Sequence, residues 1–278
     1  MSNQKVWFIT GASKGLGLAL TKLVLSQGNK VVATSRNIDD FKTSITENQD
    51  NFLPLRVDIT SDQDVKNAVQ QSIEKFGRID VVVNNAGYSL VGSMEEMTDE
   101  EFRQTMDVNL FGTVNVIRNA MPYLREQQSG HIFNISSNAG YVGFANATSY
   151  NAGKFAVVGL SEALTQEVSA FGIKVTLVAP GQFRTNFMDK GSMQYAKNRI
   201  AVYRLDEAEK KWTEFSGNQI GDPEKLVKIL TEIVALENPP TRLLLGTDTY
   251  QLIKEHREKE MQEFEQWKHL TLSTSFDQ

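Results

Sequence analysis

Seven short apolar runs recur along the chain: Val6 to Thr10, Val31 to Ser35, Leu53 to Asp58, Asp80 to Asn84, His131 to Ser136, Lys174 to Ala179 and Leu243 to Gly246. Most are near-continuous in Val, Ile and Leu rather than alternating with polar residues. A strand covered on one face alternates and a strand covered on both does not, so the runs predict a parallel sheet between two helix layers. The segments Leu16 to Ser26, Asp62 to Phe76 and Phe102 to Leu124 carry apolar residues at helical spacing. Strand and helix alternate from the first residues, which predicts one doubly wound α/β domain over residues 1–278. Local signals agree with this. Ser61 and Thr98 stand where helix caps belong, Glu101 completes a capping box with Thr98, and Gly77 ends a helix. Two regions fit the alternation less well: residues 182–217, rich in Met and aromatics, and residues 247–278, a charged helix candidate with a polar tail.

Composition narrows the chemistry. The chain has 278 residues and no cysteine, which removes disulfides, thiolate metal sites and cysteine nucleophiles. The three histidines, His131, His256 and His269, show no metal-ligand spacing. A net charge of −5 without a basic block argues against nucleic acid as a partner. No apolar stretch approaches the ~20 residues that span a bilayer. The first residues, MSNQKVWFIT, lack a leader-like apolar run, so a cytoplasmic location is expected.

The first strand runs into Thr10-Gly-Ala-Ser-Lys-Gly-Leu-Gly17, and a helix follows. Glycines here allow a tight turn and let backbone N–H groups approach a pyrophosphate at the helix N-terminus. The second strand ends Ala33-Thr-Ser-Arg36. A site for NAD usually carries an acid at this point to bind the ribose hydroxyls. Here Arg36 offers planar donors to a 2′-phosphate, Ser35 a hydroxyl and Lys14 a second positive charge, which favours NADP(H).

With these motifs in hand, the sequence resembles the short-chain dehydrogenase/reductase family. The resemblance rests on the glycine loop, Asp58, Asn84-Asn-Ala-Gly87, Asn109, Ser137, Tyr150-Asn-Ala-Gly-Lys154, and Pro180-Gly181 followed by Thr185, in the family's order and approximate spacing. It is strong from about Val6 to Thr185 and looser beyond. It implies a Rossmann-like sheet of seven mainly parallel strands with helices on both faces. The implied cofactor contacts are Gly11, Ser13, Lys14, Gly15, Leu16 and Gly17 in the loop, and Asp58 and Ile59 near the adenine. Asn85, Ala86 and Gly87 would line the cleft, and Pro180, Gly181 and Thr185 the nicotinamide side. Asn84 and Asn134 read more simply as strand-end and buried structural residues.

The chemistry follows from residue types. Carbonyl reduction needs a hydride on one side and a proton for the developing alkoxide. The phenol of Tyr150 can supply that proton if a cation stabilises the phenolate. Tyr150 and Lys154 are four residues apart in a helical segment, so they share a face and Lys154 can tune Tyr150; the resemblance implies that Lys154 also reaches the cofactor ribose, which makes Tyr150 and Lys154 cofactor contacts as well. Ser137 follows a strand end, where open α/β sheets bind ligands, and its hydroxyl can orient the substrate oxygen. Ser136 is its rival, and the family spacing favours Ser137. For Asn109 the resemblance implies a helix kink that holds a water connecting Lys154 to solvent.

These readings predict an NADP(H)-dependent oxidoreductase that interconverts an alcohol and a carbonyl. In the family, residues 182–217 form a substrate lid. Phe183, Phe187, Met188, Met193, Tyr195, Tyr203 and Trp212 within it suit a fairly apolar small molecule, with Tyr88, Leu90, Val142 and Phe144 as further cleft candidates. The helices Phe102 to Leu124 and Thr148 to Phe171 resemble the family's subunit-pairing elements and suggest a homodimer or homotetramer. Two rival functions are a catalytically silent NADP(H)-binding redox sensor, and an epimerase or lyase with tightly bound NAD.

Overall fold

A computed structural model of the chain describes residues 4–46, 49–189 and 191–276. The seven apolar runs form one sheet. Its strands are β1 (Val6–Thr10), β2 (Lys30–Ser35), β3 (Phe52–Arg56), β4 (Val81–Asn84), β6 (Gly130–Ile135), β7 (Ile173–Pro180) and β9 (Arg242–Leu245). The order across the sheet is β3-β2-β1-β4-β6-β7-β9, and every neighbouring pair is parallel. Strand order reverses direction between β1 and β4, and a crevice opens at the carboxyl ends there.

Burial on both sides explains the continuous apolar runs. In β1, Trp7 and Ile9 enter one core with Leu20, Val24, Leu226 and Leu230. Val6 and Phe8 enter the opposite core with Val65, Val69, Val116 and Leu164. The first face is covered by α1 (Gly15–Ser26) and α8 (Pro223–Ile233). The second is covered by α3 (Asp62–Phe76), α5 (Gly112–Gln127) and α6 (Thr148–Val168). A one-residue slip of β1 would exchange its two core sets, so its register is strongly specified.

The cap signals act as read. Ser61 Oγ accepts from Asp64 N, and Gly77 closes α3 at φ 80°. Thr98 and Glu101 form a full capping box on α4 (Asp99–Met106). The stretch read as one helix from Phe102 to Leu124 is interrupted. A π-turn, Asp107–Phe111, separates α4 from α5 and buries Asn109. Apolar periodicity survives a single wide turn, so the pattern alone did not reveal it.

Residues 182–217 are more ordered than their mixed polarity suggested. They hold β8 (Met193–Tyr195), paired in parallel with β5 (Ser89–Val91) outside the main sheet, and α7 (Leu205–Phe215). The short α2 (Asp39–Lys42) follows β2. The charged C-terminal candidate is part of a longer helix, α9 (Thr247–Leu272), with only Thr249 and Ile253 buried. Residue 190 of the expected lid and residues 277–278 of the expected extension lie outside the described residues. Among the described residues no helix is long and apolar enough to cross a membrane, and no cluster of His, Cys, Asp or Glu could hold a metal ion.

Candidate active site

The crevice at the reversal point is a cleft of about 970 Å³. Its floor is the turn between β1 and α1. Gly11 and Gly15 take left-handed backbone at φ 62° and 54°, which glycine adopts without steric cost. A Cβ on Gly11 would lie 2.8 Å from Ala86 Cα, and one on Gly17 would lie 2.4 Å from Gly11 O. A Cβ on Gly15 would meet only Thr185, at 3.7 Å, across the open cleft. The turn is stitched to the end of β4. Thr10 Oγ1 accepts from the N–H groups of Asn85 and Ala86, both at 3.0 Å. Asn85 Nδ2 donates to Thr10 O at 2.9 Å and to Gly11 O at 3.1 Å. The first turn of α1 holds no acidic residue, so its N-terminal N–H groups and partial positive charge face the cleft uncompensated.

At one end lie Ser13, Lys14, Ser35 and Arg36. Ser35 Oγ donates to Ser13 Oγ at 3.0 Å, and the Arg36 side chain is exposed. Asn37 and Asp40 also border this end, with Asn37 Nδ2 donating to Asp40 Oδ1 at 2.8 Å. Sequence reading missed these two because they fall after the strand, in a turn without a strong pattern. Asp58 and Ile59 form the adjoining wall. Asp58 Oδ1 is occupied by Thr60, at 3.0 Å from its N and 2.7 Å from its Oγ1. Ile59 packs so tightly on Gly112 that a Cβ there would come within 2.5 Å of it.

At the other end stand Ser137, Tyr150 and Lys154, with Ala86, Gly87, Pro180, Gly181 and Thr185 around them. The Lys154 ammonium lies 5.6 Å from the Tyr150 ring centroid and donates to Ile135 O at 2.9 Å. Burial pushes the Tyr150 phenol up to about 12, and a hydrogen bond with Ser137 opposes this only in part. Burial also lowers the Lys154 ammonium to about 8. Ser137 Oγ donates to Asn138 Oδ1 at 3.0 Å and accepts from Ala139 N at 3.1 Å. Ser136 is buried and its hydroxyl donates to Lys154 O at 3.0 Å, so it braces α6.

Two residues in the expected set stand behind the cleft wall. Gly17 packs under the turn. Asn109 is spanned by Tyr88, accepting from its N at 3.1 Å and donating to its O at 2.9 Å. A Cβ on Gly87 would come within 2.7 Å of Asn109 Oδ1 and 3.5 Å of Lys154 Nζ. Glycine there keeps the amide and the ammonium close together. Asn84 and Asn134 are structural, joined by a 2.8 Å hydrogen bond between β4 and β6.

The apolar side of the cleft includes Tyr88, Phe144, Phe183, Phe187, Met188, Met193 and Trp212. Four other candidates turn elsewhere. Leu90 and Tyr195 pack in the small core between β5, β8 and α7, Val142 packs against the core near Tyr141, and Tyr203 donates to Glu95 at the surface. Asp248 and Leu252 of α9 also reach the cleft. Nothing local in the sequence marks them, because they arrive through topology. The cradle fits a dinucleotide: close-packed glycines, bare helix N–H groups in the middle, and cationic side chains at one end.

Similarity to known proteins agrees with this geometry. The profile of the short chain dehydrogenase family matches residues 5–196, and the chain belongs to that family. It is 35% identical over 272 residues to Oxidoreductase BOA17 of Botryotinia fuckeliana, covering 98% of this chain and 99% of that one. It is 38% identical over 250 residues to a 3-ketodihydrosphingosine reductase of Bacteroides thetaiotaomicron, covering 87% of this chain and 88% of that one. The crystal structure of a short-chain dehydrogenase from Streptomyces avermitilis superposes with a TM-score of 0.91 at 33% identity, over 99% of this chain and 100% of that one.

Proposed function

We propose that the chain is an NADP(H)-dependent oxidoreductase that interconverts a fairly apolar ketone and its secondary alcohol. The observation that carries the reading is that Ser137, Tyr150 and Lys154 line the same cleft as the glycine cradle. When bound, the nicotinamide cofactor supplies or takes up the hydride. The chain's own residues handle the oxygen and its proton. Ser137 holds the substrate oxygen, and Tyr150 donates its phenolic proton in reduction or removes one in oxidation. Lys154 stabilises the phenolate left behind. Asn109, fixed by Tyr88 next to Gly87, keeps a polar path open behind Lys154 for the returning proton. Arg36, Lys14 and Ser35 support NADP(H) over NAD through a 2′-phosphate.

Phe187, Met188, Met193 and Trp212 support the apolar substrate, with residues 182–217 acting as a lid over it. Phe111 and Phe155, 50% and 44% exposed on the π-turn and α6, support pairing of two copies across those helices.

The test is a screen of NADPH oxidation and NADP reduction by the purified protein against ketones, aldehydes, sterols and sugar alcohols. Turnover with an apolar carbonyl is expected, and none across the panel removes the reading. Tyr150→Phe is expected to lower kcat about 100- to 10,000-fold while NADPH affinity stays the same. Near-normal turnover in this variant removes the proton-donor role.

A further inference from the structure

The first turn of α9 meets the point where the main sheet hands over to residues 182–217. Asp248 Oδ2 accepts from Gln182 N at 2.9 Å. The carbonyl of Gln182 accepts from Gly221 N at 2.9 Å, and Arg184 N donates back to Gly221 O at 2.9 Å. The Arg184 guanidinium donates to Gln219 O at 3.0 Å. The two ends of the 182–219 excursion are therefore tied together at Gln182, and that knot is tied to α9 by a single carboxylate. Gly181 N donates to Leu245 O at 2.9 Å, which fixes the residue just before it to the sheet.

The packing around the carboxylate is close. A Cβ on Gly181 would lie 2.3 Å from Asp248 Oδ2 and 2.3 Å from Thr249 Oγ1. One on Gly246 would lie 2.3 Å from Asp248 Oδ1. Glycines at both places let the carboxylate sit against the backbone. Asp248 Oδ1 and Thr249 Oγ1 are buried without a hydrogen-bond partner. A buried polar atom left unsatisfied costs free energy that tight packing alone does not explain. The N-terminal end of a long helix offsets part of it by favouring a negative charge.

We infer that Asp248 is a positioning residue. It fixes the hinge of the 182–219 segment so that Thr185, Phe187, Met188 and Trp212 are presented to the cleft in register with Pro180 and Gly181. The inference rests on the reading of this cleft as a cofactor and substrate site. Asp248 borders the cleft at its hinge end, and the role inferred for it acts through Gln182. Without its acceptor, the Gln182 N–H would be released, and the hinge would keep the Gly221 pairing and the Arg184–Gln219 bond but lose its tie to α9, while β8 stays paired with β5.

Hydrogen exchange by mass spectrometry on the full chain tests this, alongside two binding assays. In Asp248→Ala the amides of residues 183–219 are expected to exchange at least about tenfold faster. NADPH affinity and the KM for the carbonyl are expected to weaken about tenfold. Binding of adenosine 2′,5′-bisphosphate, which needs only the Arg36 end, should stay within about twofold of the parent. Asp248→Asn keeps an acceptor and should restore all three readouts. If the alanine variant does not fold, Asp248→Ser replaces it, with the same expected outcome. Unchanged exchange over 183–219 in a folded variant overturns the inference, as does equal loss of the bisphosphate and NADPH. A parent protein that binds no NADPH would instead defeat the proposed function, while the exchange comparison would still decide the hinge.

Discussion

Tyr150 enters the cleft as a weaker acid than a free phenol, because burial disfavours the phenolate more than Ser137 favours it. It is therefore fully protonated across the physiological range, the state in which it can donate. The same burial makes Lys154 a weaker base, with its ammonium losing a proton near 8. Under the proposed mechanism, the ammonium present below that value would stabilise the phenolate as the proton leaves, and above it that charge is gone. The kcat/KM for reduction is thus expected to be level at lower pH and to fall as pH rises through about 8, since this quantity reports groups of the free enzyme. A profile level up to pH 10 would show that the lysine charge is not needed. At the far end of the cleft, Arg36→Ala is expected to cost about 1.5–3 kcal/mol of NADPH binding, the range for a hydrogen bond to a charged group. Titration with NADH should give nearly the same affinity as in the parent. Equal loss with both nucleotides would contradict a 2′-phosphate contact.

Among the elements, the turn between β1 and α1 tolerates little change. Gly17→Ala would place a methyl group 2.4 Å from Gly11 O and 2.7 Å from Asn85 Nδ2. Backbone cannot yield as a flexible side chain can, so a loss of about 1–3 kcal/mol in urea unfolding is expected, together with weaker NADPH binding. Unaltered stability would mean that the turn relaxes more easily than its contacts imply. The signals that marked this turn are local, which is why it was readable in the sequence. The same holds for the seven main strands, the Ser61 and Thr98 caps, and the Tyr150–Lys154 spacing. What escaped was decided by distant partners. The three-residue strands β5 and β8 exist because, among the described residues, each supplies the other's only ladder, and no pattern so short is distinctive. The π-turn around Asn109 leaves the helical rhythm intact on either side, so the apolar pattern did not show it; the kink expected there came from the family resemblance and not from periodicity. Asp248 is 66 residues from the backbone N–H it binds, and a lone acid just after a strand end carries no mark of that pairing.

For the molecule as a whole, α9 divides into two parts. Its start is built into the cleft and β9, while every described residue from 261 to 276 is exposed. Removing the chain after Glu260 is expected to leave the thermal midpoint of unfolding within a few degrees of the parent, because so little apolar surface of the fold is uncovered. A large drop would show that the outer half of the helix packs on a second copy.

The sheet order carries one more consequence. β1 precedes the sheet's other strands in the chain, yet it lies inside the sheet, flanked by β2 and by β4, whose register begins at Val81. During synthesis at roughly 5–20 residues per second, β1 must wait seconds beside the ribosome for its second neighbour. The anion cradle, shared by Thr10 and Asn85, cannot close before then. A nascent chain stalled short of Asn85 would therefore leave an oily strand edge open to chaperones rather than a half-formed nucleotide pocket.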